Sequence, residues 1–387
     1  MHFTLNSEQE AFQKMAREFA DKEMTPYSRE LDEKEEFPWE ILKKLHSLGL
    51  HDLAVPEEYG GPGIDSLSYS LIIEQLARGC AGTVVTSSAN GNSLALYPLL
   101  IGGTKEQKER FLPTICEEGK LVTFSLTEPN AGSDAAAITT TARKDGKHYI
   151  INGAKIFITN ASYSEYHTVF ANVVDGSGSK KPSVFMLESN MPGVTVGKKE
   201  KKMGLRCSDT AELFFEDVRV PEENLIGKEG EGLRLAMKTL DMARPSVGAI
   251  SLGIAQAAFE AAVAYSKTRE QFGRPICKNQ GIQFMLADMA TQIEAARLLV
   301  YQASWLKDEF YKNGTPFTRK AAFAKVFASD VAMKVTTDAV QIFGGYGYTR
   351  EFLVEKYMRD AKIMQIFEGS NQIQRIVIAG HVIENNG

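Results

Sequence analysis

The hydrophobic period of this chain changes twice, and that double change restricts the available folds more than any other feature. Up to about residue 118, and again from about residue 231, apolar residues recur at helical spacing; between them they alternate. Helices, then strands, then long helices predict an α+β multidomain protein. The expected regions are an all-α one at 1–118, a β-barrel or sandwich at 119–230 and an up-down helical bundle at 231–387. At 387 residues the chain is too long for one simple core.

Local signals fill in each region. Ser7 and Glu10 form a candidate capping box ahead of Phe12, Met15 and Phe19, and Pro38 marks the first turn of a helix carrying Ile41, Leu42 and Leu45. Ser66 starts a helix over 66–78, after a Gly/Pro-rich loop. TVVTSSANGNSLALYPLL, at 83–100, is apolar with small residues and predicts a buried helix lining a cavity. In the middle region Asn152-Gly153 separates two β-rich runs, which predicts a hairpin turn. HTVFANVV, PSVFMLE and TAELFFEDVRV continue the strands. Further helices are expected over 231–268, 280–312 and 317–343, the last closed by Gly344-Gly345. No GxGxxG or P-loop occurs, which excludes a Rossmann or Walker nucleotide site.

Composition excludes further classes. A net charge of −5 argues against a nucleic-acid binder, and the basic cluster KKEKK at 198–202 reads as a solvated turn. Cys80, Cys116, Cys207 and Cys277 lack metal-ligand or CxxC spacing, so neither a metal site nor a redox pair is expected, and the expected compartment is the cytoplasm. The first residues, MHFTLNSEQE, show no export signal, and no run of about 18 apolar residues is found, so no membrane association is expected.

Chemistry concentrates in six short segments. AKIMQIFEGSNQIQRIVI (361–378) delivers Glu368 from an apolar run straight into a glycine. Ser370 or Asn371 then caps a helix with Ile373, Ile376 and Val377 on one face. Apolar surroundings would raise the pKa of Glu368 toward a general-base range; an isolated Glu-Gly is otherwise a solvated turn. FSLTEPNAGSDAA (124–136) is dense in hydroxyls and amides, suited to polar ring edges, a pyrophosphate or simply a capped loop. KIFITNA (155–161) offers an aromatic wall at Phe157 and a hydroxyl at Thr159. LDMAR (240–244) places an acid and an arginine on one helical face, by default a surface ion pair. TREQFGRPICKNQ (268–280) sets Arg269 and Gln280 around Phe272, and the glycines of QIFGGYGY (341–348) admit a ligand to the backbone.

Taken together and in order, TEPNAGSD, KIFITNA, LDMARP, REQFGRP, QIFGGYGY and IFEGSNQIQR resemble the acyl-CoA dehydrogenase family over essentially the whole chain, on its short- and medium-chain bacterial branch. The resemblance implies the acyl-CoA dehydrogenase fold and FAD as cofactor. It implies that Phe124, Leu126, Thr127, Gly132, Ser133, Phe157, Ile158 and Thr159 hold the flavin ring. Arg269, Gln271, Phe272, Asn279, Gln280, Gln341, Ile342, Gly344 and Gly345 fall on its adenine and diphosphate half, supplied across a subunit interface in relatives. Ser370, Asn371 and Gln372 match a further flavin contact. Ser133, Asp241, Arg244 and Gly369, with Asn90 and Leu94, are assigned to the acyl-CoA, and Glu368 to the catalytic base.

Two positions depart from family patterns. Some members carry the base immediately before the arginine of the LDMAR segment; Ala243 stands there, so the role reverts to Glu368. Short- and medium-chain members often have an arginine twelve residues after the base; here it is Gly380, with His381 as the substitute. The implied reaction is α,β-dehydrogenation of a short- or medium-chain or cyclic acyl-CoA, with the α-proton passing to Glu368 and a hydride to flavin N5. An electron-transfer flavoprotein is the implied acceptor and a homotetramer the implied assembly. The rivals are an acyl-CoA oxidase, an enoyl-CoA reductase running the reverse reaction, and a non-catalytic acyl-CoA-binding scaffold.

Overall fold

The structure is a computed structural model that describes residues 4–87, 91–174 and 179–384. The first elements are helices α1 (Ser7–Phe19), α2 (Ser28–Lys34), α3 (Trp39–Ser47), α4 (Ser66–Ser87), α5 (Asn92–Gly102) and α6 (Lys105–Glu118). The capping box of α1 sits one residue earlier than expected. Gln9 N donates to Asn6 Oδ1 at 2.8 Å and Asn6 N to Gln9 Oε1 at 3.2 Å, because Ser7 is already helical. Pro38 is the N-cap of α3 and precedes its first turn.

The stretch 83–100 is divided between α4 and α5 and is not one helix. Gly91 leaves helical geometry at φ −77° and ψ −105°, where an added Cβ would lie 2.0 Å from the Thr86 carbonyl oxygen. Asn92 then fastens the break: it donates to Asp52 Oδ1 at 2.9 Å and to the Lys120 carbonyl at 2.7 Å, and accepts from Val122 N at 2.9 Å. A short side chain that satisfies three partners outside its own helix outweighs apolar periodicity. Asn90 lies outside the described residues.

The middle region holds β1 (Val122–Ser125), β2 (Thr141–Asp145), β3 (His148–Thr159), β4 (Tyr166–Val174), β5 (Lys180–Glu188), β6 (Val194–Lys199), β7 (Thr210–Pro221) and β8 (Leu225–Ile226). They form one mixed sheet in the order β6-β7-β3-β2-β4-β5-β8, with β1 parallel to β4. Alternate residues of β4 and β5 enter different cores, which is why both strands read as almost continuously apolar. Val169, Ala171, Phe185 and Leu187 join Phe215 and Tyr149 in one cluster; Phe170, Val184 and Met186 face α5 and α6.

The expected turn at Asn152-Gly153 is absent. β3 runs straight through it, and the β2–β3 hairpin turns at Gly146, at φ +61°. Asn152-Gly153 instead makes a bulge against β7, where the register slips between Ile151 and Gly153. Asn152 and Asp217 exchange two hydrogen bonds at 2.9 Å, and a Cβ on Gly153 would come within 2.8 Å of Thr140 Cα. The same permissive backbone that suits a turn is used here to bend a strand.

Beyond a short β9 (Glu270–Gln271) and β10 (Arg274–Pro275), the rest is helical: α7 (Gly232–Thr268), α8 (Gln280–Asn313), α9 (Thr318–Phe343), α10 (Val354–Met364) and α11 (Asn371–Glu384). α7 is long and apolar enough on average to cross a membrane, although no unbroken run of about 18 apolar residues occurs in it, and 67% of its apolar window is buried inside the protein. α4, α8 and α9 pack around it in one continuous core. Gly253 sets the closest approach, since a Cβ there would stand 2.3 Å from the Glu74 carbonyl of α4. The helical regions are thereby fused along α4 and α7, with the sheet against one side.

Candidate active site

Between α10 and α11 the chain makes a tight connection in which Glu368 and Gly369 are both left-handed, at φ +52° and +86°. Such a conformation costs a glutamate of the order of 1 kcal/mol and persists only where neighbours enforce it. The enforcing contacts are visible. Buried Lys325 of α9 donates to the Gly369 carbonyl at 3.0 Å and to Asn371 Oδ1 at 2.8 Å, and Gln374 Nε2 donates to the Gly369 carbonyl at 2.9 Å. Ser370 caps α11, accepting from Ile373 N at 3.4 Å, while the Asn371 side chain turns back to Ser329 and Asp330.

The Glu368 residue as a whole is half-buried, but both carboxylate oxygens are shielded from solvent and neither has a hydrogen-bond partner. Burial drives its pKa up to about 8, against the pull of Lys325 and Arg244. Amide N–H groups of Glu368 and Gly369 donate to no backbone acceptor among the described residues. An unsolvated carboxylate beside free amide donors is an arrangement for moving a proton and holding negative charge on a neighbouring oxygen.

A cleft of about 230 Å³ opens onto this turn. Leu94 of α5, Phe124, Leu126, Thr127, Gly132 and Ser133 of the β1 segment, Phe157, Ile158 and Thr159 of β3, and Arg244 of α7 line it with Glu368, Gly369, Ile373 and Val377. Phe157 is thrown outward by a second bulge of β3, between Lys155 and Ile158. It sits at φ +59° with its side chain 62% exposed. Arg244 is buried and pairs with Asp241, whose other oxygen accepts from Thr318 at 2.6 Å. The LDMAR pair is therefore a buried ion pair and not the surface pair expected, because α7 is covered by neighbours on this face. Arg244 reaches the cleft and Asp241 does not line it.

The remaining site candidates divide from this cleft. Arg269, Gln271, Ile342, Gly344 and Gly345 line a separate open groove of about 490 Å³ with Tyr265, Tyr346 and Glu351. Phe272 is 98% exposed beside it, Asn279 accepts from Arg274, and Gln280, Gln341 and Gln372 are exposed. Ile376, expected on the packed face of α11, is also exposed; Asn371 and Gln374 occupy that face. Burial raises the Asp241 carboxyl, and His381, the residue beside Gly380, is among the groups that pull it back down; His381 does not line the cleft.

Several residues that organise the site were not singled out from sequence. Glu128, inside TEPNAGSD, pairs with Lys155, inside KIFITNA, at 2.7 Å, both fully shielded. Burial works against its ionisation, yet Lys155 and three hydrogen bonds from Thr139 and Thr140 hold Glu128 down to about 2. This pair staples TEPNAGSD to KIFITNA. Lys307 of α8 donates to Tyr97 Oη of α5 at 2.6 Å, and burial lowers its pKa to about 8. Cys80 and Cys207 bring their sulfurs within 3.9 Å, although 127 residues apart. A charged residue set in an apolar run was the available signal for Lys155 and Lys325; nothing local marks Lys307, Cys80 or Cys207.

Comparison with known proteins is specific. Three family models match consecutively: acyl-CoA dehydrogenase N-terminal domain at residues 6–119, middle domain at 123–218 and C-terminal domain at 230–383. The butyryl-CoA dehydrogenase of Megasphaera elsdenii is 49% identical, with a TM-score of 0.94 over 99% of this chain and 100% of that one. A chain in the solved structure of the electron transferring flavoprotein of Acidaminococcus fermentans is 52% identical, also with a TM-score of 0.94, over 99% of this chain and 100% of that one. An acyl-CoA dehydrogenase from Bacillus anthracis solved with FAD is 34% identical, with a TM-score of 0.92 over 99% of this chain and 67% of that one.

Proposed function

Since the chain belongs to the acyl-CoA dehydrogenase family and is an oxidoreductase acting on acyl-CoA, we propose that it dehydrogenates a short-chain, uncharged acyl-CoA at Cα–Cβ with Glu368 as base. The observation that carries the reading is the shielded, unpartnered carboxylate of Glu368 facing the cleft.

The residues present fit FAD. Phe157 offers an exposed aromatic wall with Thr159 behind it, and the backbone is open at Gly132, Gly344 and Gly345, where an added Cβ would meet nothing within 4 Å. Phe124 to Thr127, Gly132, Ser133 and Phe157 to Thr159 would hold its ring, and Arg269, Gln271 and Gly344 its phosphate-bearing half. When bound, FAD supplies the hydride acceptor.

The chain's own residues do the rest. Glu368 takes the α-proton, with a pKa near operating pH that suits the role. The free amides beside it stabilise developing charge on the thioester oxygen, typically about 3–4 kcal/mol per donor. Leu94, Phe124, Phe367 and Ile373 keep water from the reacting carbons. Apolar lining and the absence of Lys or Arg from α5 support an uncharged acyl tail; of the buried cations near it, Lys307 is engaged by Tyr97 and Arg244 by Asp241.

The open groove and the exposed Phe272 and Tyr348 support a cofactor site completed by a second copy of the chain, in a homotetramer that passes electrons to an electron-transfer flavoprotein. The test is Glu368→Gln, followed as anaerobic single-turnover flavin reduction with butyryl-CoA. A loss of at least about 10⁴-fold with flavin retained is expected; retention of a tenth of the rate would place the base elsewhere. Glutaryl-CoA outperforming butyryl-CoA in the same assay would overturn the substrate assignment.

A further inference from the structure

Two buried ionisable groups meet at the Glu368–Gly369 turn without touching each other. The Glu368 carboxylate lies on the cleft side with no hydrogen bond. The Lys325 ammonium lies behind the turn, fully buried, with neutral acceptors only: the Gly369 carbonyl and Asn371 Oδ1. Among the described residues Lys325 makes no ion pair within 4.0 Å. A neutral donor would satisfy the Gly369 carbonyl equally well, and Gln374 already donates to it. Burying an ammonium for a contact that a neutral group already makes is unfavourable unless the charge itself is used.

We propose that Lys325 is a positioning residue for the proton-abstracting carboxylate: it clamps the left-handed turn through the Gly369 carbonyl and sets a positive charge behind Glu368 that favours its ionised form. This rests on Glu368 being the base. The clamp acts through both neighbours of the turn, since Asn371, held by Lys325, is fixed in turn by Ser329 and Asp330. Burial lowers Lys325 to about 7 and the Glu368 carboxylate pulls it back up, so the two groups hold their charges together; Arg244 from α7, Asp330 from its own helix and Arg375 from α11 are the other charges facing it. Those facing Glu368 are Lys325 and Arg244, with the phenols of Tyr69 on α4 and Tyr97 on α5 on the far side. Arg244 is already committed to Asp241, which leaves Lys325 as the cation without a competing carboxylate contact.

Three variants of the FAD-loaded protein separate clamp from charge, read as the pH dependence of single-turnover flavin reduction. Lys325→Gln keeps a donor and removes the charge, so its midpoint should move upward by about one pH unit with a limiting rate near wild type. Lys325→Met removes both, giving the same shift and a limiting rate lower by about tenfold. Gln374→Leu weakens the clamp and leaves the charge, so the rate should fall without a shift. The same upward shift should appear in the pH dependence of melting, which needs no turnover. Unshifted midpoints in both Lys325 variants overturn the charge role, and so does a shift in Gln374→Leu. If neither Lys325 variant folds, an undiminished limiting rate in Gln374→Leu overturns the clamp. Should Glu368→Gln keep its rate, the base reading itself fails; an inactive Glu368→Gln with wild-type titration in the Lys325 variants sinks this inference alone.

Discussion

The cleft at Glu368 and the groove at Arg269 are built to opposite standards. At the cleft the charged side chains and the turn are held in place: Glu128 behind it by Lys155, Arg244 by Asp241, the base-carrying turn by Lys325 and Gln374. In the groove, Arg269 lies against the Tyr346 ring at 5.6 Å, glycines 344 and 345 stand open, and Phe272 and Tyr348 are 98% and 90% exposed. Proton transfer needs atoms held to a few tenths of an ångström, so one chain must build the cleft alone. In the proposed reading the groove anchors a cofactor's remote half, which needs affinity only and can be completed by another copy.

The comparison is broken most directly by moving the base. Glu368→Gly should lower single-turnover flavin reduction by about 10⁴-fold. Ala243, fully buried one turn from the cleft-lining Leu240 and beside Arg244, is the alternative site. Adding Ala243→Glu to Glu368→Gly should recover at least tenfold of that loss, about 1.4 kcal/mol of barrier. No recovery would mean that the two positions do not serve one α-carbon.

Next in size is the staple. Lys155→Met leaves the Glu128 carboxylate buried and unpaired, at a cost of about 3–5 kcal/mol of stability. Urea denaturation of the holoprotein should show it, with flavin lost before the helical core unfolds. Measured on FAD-stripped protein, Arg269→Ala should leave urea stability within about 0.5 kcal/mol of wild type, since the groove's own contacts carry little of the fold. Equal destabilisation by the two changes would erase the distinction between cleft and groove.

What the sequence made legible follows the same division. Helix boundaries at 232, 268, 280 and 318 lie within a residue or two of expectation, because long periodic segments with glycine or proline ends leave few alternatives. Glu368, Phe157 and Thr159 share one cleft, as the motifs implied. The failures have local causes. Asn152-Gly153 meets the backbone requirement of a bulge as well as that of a turn, and only the partner strand, through Asp217, decides between them. The 83–100 helix breaks because the Asn92 side chain has tertiary partners, which periodicity does not reveal. Lys155, Lys307 and Lys325 each find their partner 27 to 210 residues away, so spacing within a motif says nothing of them.

A subtler consequence of the cleft's burial is a pH-dependent stability difference. Glu368 is raised from 4.5 to about 8 by burial. Its neutral form is therefore the one that the fold prefers, so its contribution is fully present below pH 4.5 and lost as pH rises through 8. Glu368→Gln removes that loss. At pH 5 wild type and variant should melt together, and at pH 9 the variant should be more stable by roughly 2–4 kcal/mol. Parallel melting curves across this range would mean that the carboxylate is solvated in solution, and the contrast with the open groove would vanish.

The smallest effect belongs to the groove. Arg269 is half-buried, stacks on Tyr346 and makes no ion pair among the described residues, so its guanidinium is free to meet a phosphate. A charge-assisted hydrogen bond of that kind is worth about 1.5–3 kcal/mol. Arg269→Ala should thus weaken flavin retention by roughly ten- to a hundredfold, measured by equilibrium titration of stripped protein with FAD. Raising the salt concentration should weaken wild type more than the variant, because one exposed ionic contact has been removed. The rate of flavin reduction per bound flavin should change far less than the affinity, since no group near the Glu368 turn has moved. Light scattering of the stripped and loaded forms completes the test. If the groove is finished by a second copy, FAD should drive association in wild type and do so at higher concentration in Arg269→Ala. A monomer that binds FAD with full affinity would show that one chain closes the groove by itself.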